Sequence, residues 1–453
     1  MTVDHTERSV GGGYWPCGWP VECGGNHRPK TALGRGLGVR PTDRLVATTR
    51  HTGRWPVMFV RRDPGELYLC GNTLGDGATA ASWVERVDPT TLAPLDRSGD
   101  LPTGDHEWCG SIAVHANGDL YMVSGSHLHR LDRRCAVVRS LALPVDHAHN
   151  GLLVLGDGSI VTKDLRLGPD PSTVTVLDPD LEVLTSVTLP EPSMGRIAAV
   201  PSDRGTYRSG GEDLYLPGAT RVFRLRWDGR SLELDDDWQP TYRDTDRGGL
   251  AWDSTIADGR LWLHDNGNTP GVELRFSTSP TQRFPLGPVA EPPAPAWTEP
   301  VRLIGIPIAD PGEQFVIRPT ELPGGWVIAP PLVSGGIAVA WDTGNTGLAA
   351  FDVSPGPDGE VRGEMLWFQP FRSSMQPLLY PDTGELVTND FRYLENGTTS
   401  DDLVVLDLAT GRMKARVATG ATRPNGMFLT PGVNRDLYYC TFETVARVRV
   451  ESL

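Results

Sequence analysis

The chain alternates short apolar segments with Gly, Asp, Asn and Pro turns, and no helical 3.6-residue pattern of useful length interrupts them. One segment recurs. Eight strand starts follow turns: Glu66-LYL, Asp119-LYM, Ser159-IVT, Asp213-LYL, Arg260-LWL, Trp326-VIA, Glu385-LVT and Asp436-LYY. They lie about 53 residues apart on average, near the ~40 to 50 of a four-stranded propeller blade. An apolar run ending in a tight turn precedes each copy, as in 110–118 and 150–158, and predicts a hairpin. A third strand is expected near Leu128, Val174, Val222, Val272, Leu348, Leu403 and Val445, with a fourth such as Leu181–Pro190.

This pattern predicts an all-β, closed β-propeller of eight four-stranded blades. Seven is the alternative count, because the Pro-rich insertion 284–300 makes the fifth and sixth units irregular. The last copy holds three strands, and the segment Arg44–Arg50 is spare, so an N-terminal strand should close the ring and remove an open edge. Residues 1–40 are expected to form an irregular arm and residues 41–453 a single propeller domain.

Composition narrows the partners. Gly 52 and Pro 39 among 453 residues, with 39% hydrophobic residues and 13 Trp, describe a turn-rich chain with ample core. A net charge of -15 repels phosphate backbones and anionic lipid, so neither nucleic acid nor a membrane is expected. No apolar run reaches the ~18 residues that span a bilayer, and the first residues lack a basic region followed by an apolar one; a cytoplasmic protein is the expectation. The six cysteines form no CxxC pair, and Cys17 and Cys23 are expected as thiols. Oligomeric state is left open.

The inner strand of each blade starts near one mouth of the channel, so residues just ahead of the repeated hairpins should converge. They are His106, Glu107 and Trp108; His147, His149 and Asn150; Arg196; Arg247; Met375 and Gln376; and Arg423 and Asn425. His147 and His149 would share one strand face, where an imidazole can act as general base, with Glu107 as a further catalytic group. Glu107, Asn150 and Asn425 offer oxygens to a hard cation, Ca²⁺ first. Arg196, Arg247 and Arg423, with Trp108, Gln376 and His106, would bind a small-molecule substrate, an anionic one being suited to guanidinium. Tyr68, Tyr121, Tyr215, Trp262 and Tyr438 recur at one strand position and are expected to pack blade on blade. Asp253 is expected after an inner strand and His264 at the end of the next, at the opposite end of that hairpin or in a loop, and DNGN, from Asp265 to Asn268, is taken as a turn. No nucleophile elbow, P-loop, dinucleotide or flavin motif occurs.

The stretches RPNGMFLTPGVNRDLYYCTFETVARVRV and HNGLLVLGDGSIVTKD resemble the inner hairpins of the gluconolactonase, paraoxonase and strictosidine-synthase superfamily of β-propellers. That resemblance implies Asn150, Asn425 and Glu107 as ligands of a divalent cation. The expected function is a small-molecule enzyme hydrolysing an ester or lactone-like bond at the tunnel mouth. The alternatives are a metal-free lyase or cyclase on the same site, and a non-catalytic ligand-binding or protein-interaction propeller.

Overall fold

The structure is a computed structural model that describes residues 10–73, 80–106, 108–166, 168–202, 211–244, 251–267, 298–327, 329–357, 359–374, 376–422, 428–441 and 443–452. Its strands form eight antiparallel sheets, each of four strands, the first with a short addition at Leu101–Pro102. The architecture is an eight-bladed β-propeller. Inner strands, flanked by sheet on both faces, are continuous buried runs: all seven residues of Trp55–Arg61 and all six of His149–Val154 are buried. Outer strands such as Val183–Thr188 face solvent.

Blades 1 to 8 present inner strands Trp55–Arg61, Cys109–Val114, His149–Val154, Ala198–Pro201, Ala251–Ala257, Leu332–Ser334, Leu378–Tyr380 and Leu429–Pro431. In blade 8 the fourth strand is Asp43–His51, paired with Thr444–Ser452 from Asp43↔Ser452 to His51↔Thr444. The N-terminal strand closes the ring. One repeat assignment is corrected. Trp326-VIA is not the second strand of blade 6, which is Ile337–Asp342; Trp326 and Val327 instead lead into the inner strand, their N–H groups donating to Asp342 and Asn266. Both candidate segments are apolar and follow Gly-Gly, so local pattern alone did not separate them. Val272 and residues 284–297 of the Pro-rich insertion lie outside the described residues; the third strand described in blade 5 is Arg302–Pro307.

Blades are clasped by the recurring tyrosines. The hydroxyls of Tyr68, Tyr121 and Tyr438 donate to the carbonyls of Arg133, Pro179 and Pro89 in the next blade, at 3.0, 2.7 and 3.0 Å. Tyr215 packs edge-on against Trp238, whose indole N–H reaches Ile308 O of blade 5 at 2.9 Å.

The segment ahead of the first strand crosses the channel at the ends of the inner strands, here the lower mouth. Its carbonyls accept from inner-strand amides of several blades: Trp19 O from Arg61 (2.9 Å), Pro20 O from Val114 (2.8 Å), Asn26 O from Ala199 (2.8 Å), His27 O from Ile256 (2.9 Å) and Lys30 O from Leu379 (2.9 Å). The Tyr14 hydroxyl adds blade 3, accepting from Val154 N at 3.0 Å. Cys17 and Cys23 are thiols, the first donating to Arg61 O and the second to Gln376 Oε1.

Candidate functional site

The upper mouth is where inner strands begin. Their pairing with the next strand is irregular there in blades 1, 2, 3 and 5, with register shifts at Pro56/Met58, Cys109/Ser111, His149/Leu152 and Ala251/Ser254. Bulges of this kind re-aim side chains. In blade 3 the shift passes through Gly151 at φ 78°, where a Cβ would lie 3.1 Å from the Arg196 side chain. A Cβ at Gly110 would lie 2.5 Å from His149 O. These two glycines let blades 2, 3 and 4 close on one another.

Arg196 runs over Gly151 into the channel, and each of its side-chain nitrogens meets the protein. Nε lies 3.1 Å from Glu22 Oε2, Nη1 3.4 Å from Asp253 Oδ2, and Nη2 donates to Gly110 O of blade 2 at 3.3 Å. Arg28 spans the same two carboxylates, through Nη1 to Glu22 and through Nη2 to Asp253 at 2.8 Å. All four groups are at most 1% exposed. Gln376, just ahead of the blade 7 inner strand, accepts from the Cys23 thiol of the crossing segment. Lys30 Nζ donates to Arg28 O at 2.6 Å, and burial pushes its amine down to about 7.

Above this network sits an apolar layer of Trp55, Trp108, Trp252, Trp326, Phe428 and Met194, drawn from blades 1, 2, 5, 6, 8 and 4. Trp108 meets Trp55 and Trp252 edge-on at centroid distances of 6.3 and 6.5 Å, and Phe428 covers the Arg196 guanidinium at 5.3 Å. Of the six, sequence reasoning found only Trp108. Aligning the tryptophans on the inner-strand starts would have found Trp55 and Trp252, which stand at or next to them.

Three side chains at the start of blade 3, His147 at Nδ1, His149 and Asn150, keep a buried atom without a hydrogen-bond partner among the described residues. His149 is fully buried, and its Nδ1 lies 2.9 Å from His147 O, so Nδ1 carries the proton and Nε2 the lone pair; among the described residues no group pairs with Nε2. Burial pushes the imidazole down to about 4. Asn150 donates Nδ2–H to Met194 O at 2.7 Å and leaves Oδ1 unpaired. Asp164 stands opposite His149 in register and accepts from Arg166 and the Thr173 amide. His147 is half-buried, stacks on His106 at 5.6 Å, and is held below its ordinary range by burial and then by Arg166; His106 Nε2 donates to the exposed Asp146 at 3.2 Å. His147 and His149 thus occupy different environments, rim and wall.

Glu107, Arg247, Met375, Arg423 and Asn425 lie outside the described residues. Among the described residues no three His, Cys, Asp or Glu side chains are grouped to hold a metal ion. Asn150 Oδ1 has the chemistry of a calcium ligand, but a single neutral oxygen falls far short of the ~6 to 8 that Ca²⁺ takes, so the described residues alone do not make that site. Among the described residues no helix is long and apolar enough to cross a membrane.

No known family profile matches this chain, and no curated protein matches it. Solved structures with a similar fold include a candidate 6-phosphogluconolactonase from Bacteroides uniformis (15% identity, 79% of this chain and 96% of that one, TM-score 0.45). Apo AztD from Citrobacter koseri is similar at 12% identity, over 88% of this chain and 99% of that one, with a TM-score of 0.44. The quinohemoprotein alcohol dehydrogenase of Comamonas testosteroni is similar at 11% identity, over 95% and 80%, with a TM-score of 0.42. Function has to be argued from the side chains.

Proposed function

We propose that the protein is a small-molecule hydrolase that opens an ester or lactone-like bond at the upper mouth, with His149 as general base. The supporting observation is the fully buried imidazole whose Nδ1–H is locked on His147 O while Nε2 keeps an unpaired lone pair. Because burial holds it near 4, it is neutral at pH 7 and able to take a proton from an attacking water. Asp164, across the ladder, favours the charged form once that proton has moved. Asn150 Oδ1 accepts from the same water and aligns it. As the acyl–oxygen bond breaks, His149 returns that proton to the leaving oxygen, and the carboxylic acid so formed ionises to solvent at the rim, where His147 stacks on His106.

The test is turnover of a panel of γ- and δ-lactones and aryl esters by the wild type and by His149→Gln. The variant is expected to lose at least about 10²-fold in kcat/KM at an unchanged melting temperature. Since the base must be unprotonated, wild-type activity should be flat from pH 8 to 5 and fall as pH drops through about 4. Undiminished turnover by the variant rejects the assignment. A second reading, binding without turnover, is favoured by the tryptophan layer, only 2–7% exposed; it would show as ligand-dependent fluorescence with no product.

A further inference from the structure

We propose that Glu22 is a specificity-determining residue: by occupying Arg196 it makes the channel accept an uncharged substrate. The inference rests on the reading of the upper mouth as the binding site. A guanidinium in a dry channel is a ready receptor for carboxylate or phosphate, provided its N–H groups are available. Here Nε lies 3.1 Å from Glu22 Oε2 without a hydrogen bond, Nη1 faces Asp253 and Nη2 donates to Gly110 O, so carboxylates already face the Nε and Nη1 sides of Arg196. Arg28 is committed to the same two carboxylates.

The four charges of this network, Glu22 and Asp253 against Arg28 and Arg196, sum to zero; the nearby amines of Lys30 and Lys163 are pushed down to about 7 by burial and donate to the carbonyls of Arg28 and Ser193, and Phe428 covers the Arg196 plane. An anionic ligand would therefore meet two carboxylates with no unmatched cation among these four. Glu22 differs from Asp253 in origin. Asp253 belongs to an inner strand, and its Oδ1 accepts the Arg196 amide at 2.7 Å, so it is part of the scaffold. Glu22 arrives on the segment that crosses the lower mouth, within the short turn Glu22–Gly24, and that segment thereby sets the electrostatics of a channel built by other blades. Without it two guanidiniums would share one carboxylate, leaving one positive charge under the aromatic layer.

The experiment compares dihydrocoumarin with its 6-carboxylate, which share one lactone ring, by tryptophan fluorescence titration; binding is read whether or not product forms. Wild type is expected to bind the neutral probe at least about tenfold more tightly. Glu22→Gln should narrow or reverse that ratio by about tenfold, the gain of one charge-assisted contact. The charge-balanced double variant Glu22→Gln/Arg28→Gln should restore the neutral preference, which separates charge from simple loosening. Preference of the wild type for the carboxylate, binding of neither probe, or an unchanged ratio in a folded Glu22→Gln would overturn the inference. If Glu22→Gln does not fold, the wild-type comparison decides alone. Binding without hydrolysis would sink the hydrolase reading and leave this one standing.

Discussion

The two ends of the channel are built on opposite rules. At the lower end charge is matched to charge: backbone carbonyls of the crossing segment take inner-strand amides from blade after blade, and two carboxylates face two guanidiniums, although Glu22 Oε2, Arg28 Nε and Arg196 Nε make no hydrogen bond among the described residues. At the upper end the strands bulge, and two neutral acceptors, His149 Nε2 and Asn150 Oδ1, have no hydrogen-bond partner among the described residues. Unmatched buried acceptors cost of order 1–3 kcal/mol each, so a fold keeps them where something else uses them.

The contrast can be broken most severely at the lower end. Arg28→Leu leaves Glu22 and Asp253 sharing Arg196 alone in a dry environment and should cost about 3–5 kcal/mol of unfolding free energy, measured by urea titration. A loss below about 1 kcal/mol would mean the network is not the anchor described here.

Asp401, in blade 7, sharpens the comparison because it is a matched group whose matching depends on pH. It is buried against blade 8, accepts from Tyr439 at 2.5 Å and Asn389 at 2.8 Å, and burial raises its carboxyl to about 7. A folded-state value above the unfolded one means stability is fully present below about pH 4 and is lost as pH rises through about 7. Asp401→Asn should abolish that slope and be the more stable protein at pH 8, by at most about 4 kcal/mol at 1.36 kcal/mol per unit. Melting temperatures of both proteins from pH 5 to 8.5 check it. The smallest expected effect is at a blade seam: Tyr438→Phe removes one bond to Pro89 O and should cost about 1 kcal/mol without altering ligand binding at the upper mouth.

Much of the scaffold was legible because its signals are local. The strand-turn period repeats within each unit, and three strands in the last copy with one spare near Arg44 required closure by the N-terminus, as the pairing Asp43↔Ser452 bears out. The crossing segment was not legible in the same way. Arg28 and Asp253 are 225 positions apart, and no periodicity links them. At the mouth the hairpin alignment picked out His147, His149, Asn150, Arg196 and Trp108, but it could not tell their surroundings apart. Alternation alone would place His147 and His149 alike, whereas the irregular start of blade 3 buries one and leaves the other at the rim. Nor does composition reveal that Arg196 meets a carboxylate from the crossing segment.

The contrast between the two ends rests most directly on the protonation of one ring, which ¹⁵N NMR of histidine-labelled protein reads at pH 7. The account predicts that His149 is neutral, with its proton on Nδ1 and a pyridine-like Nε2. A proton on Nε2, or a doubly protonated ring, would contradict it.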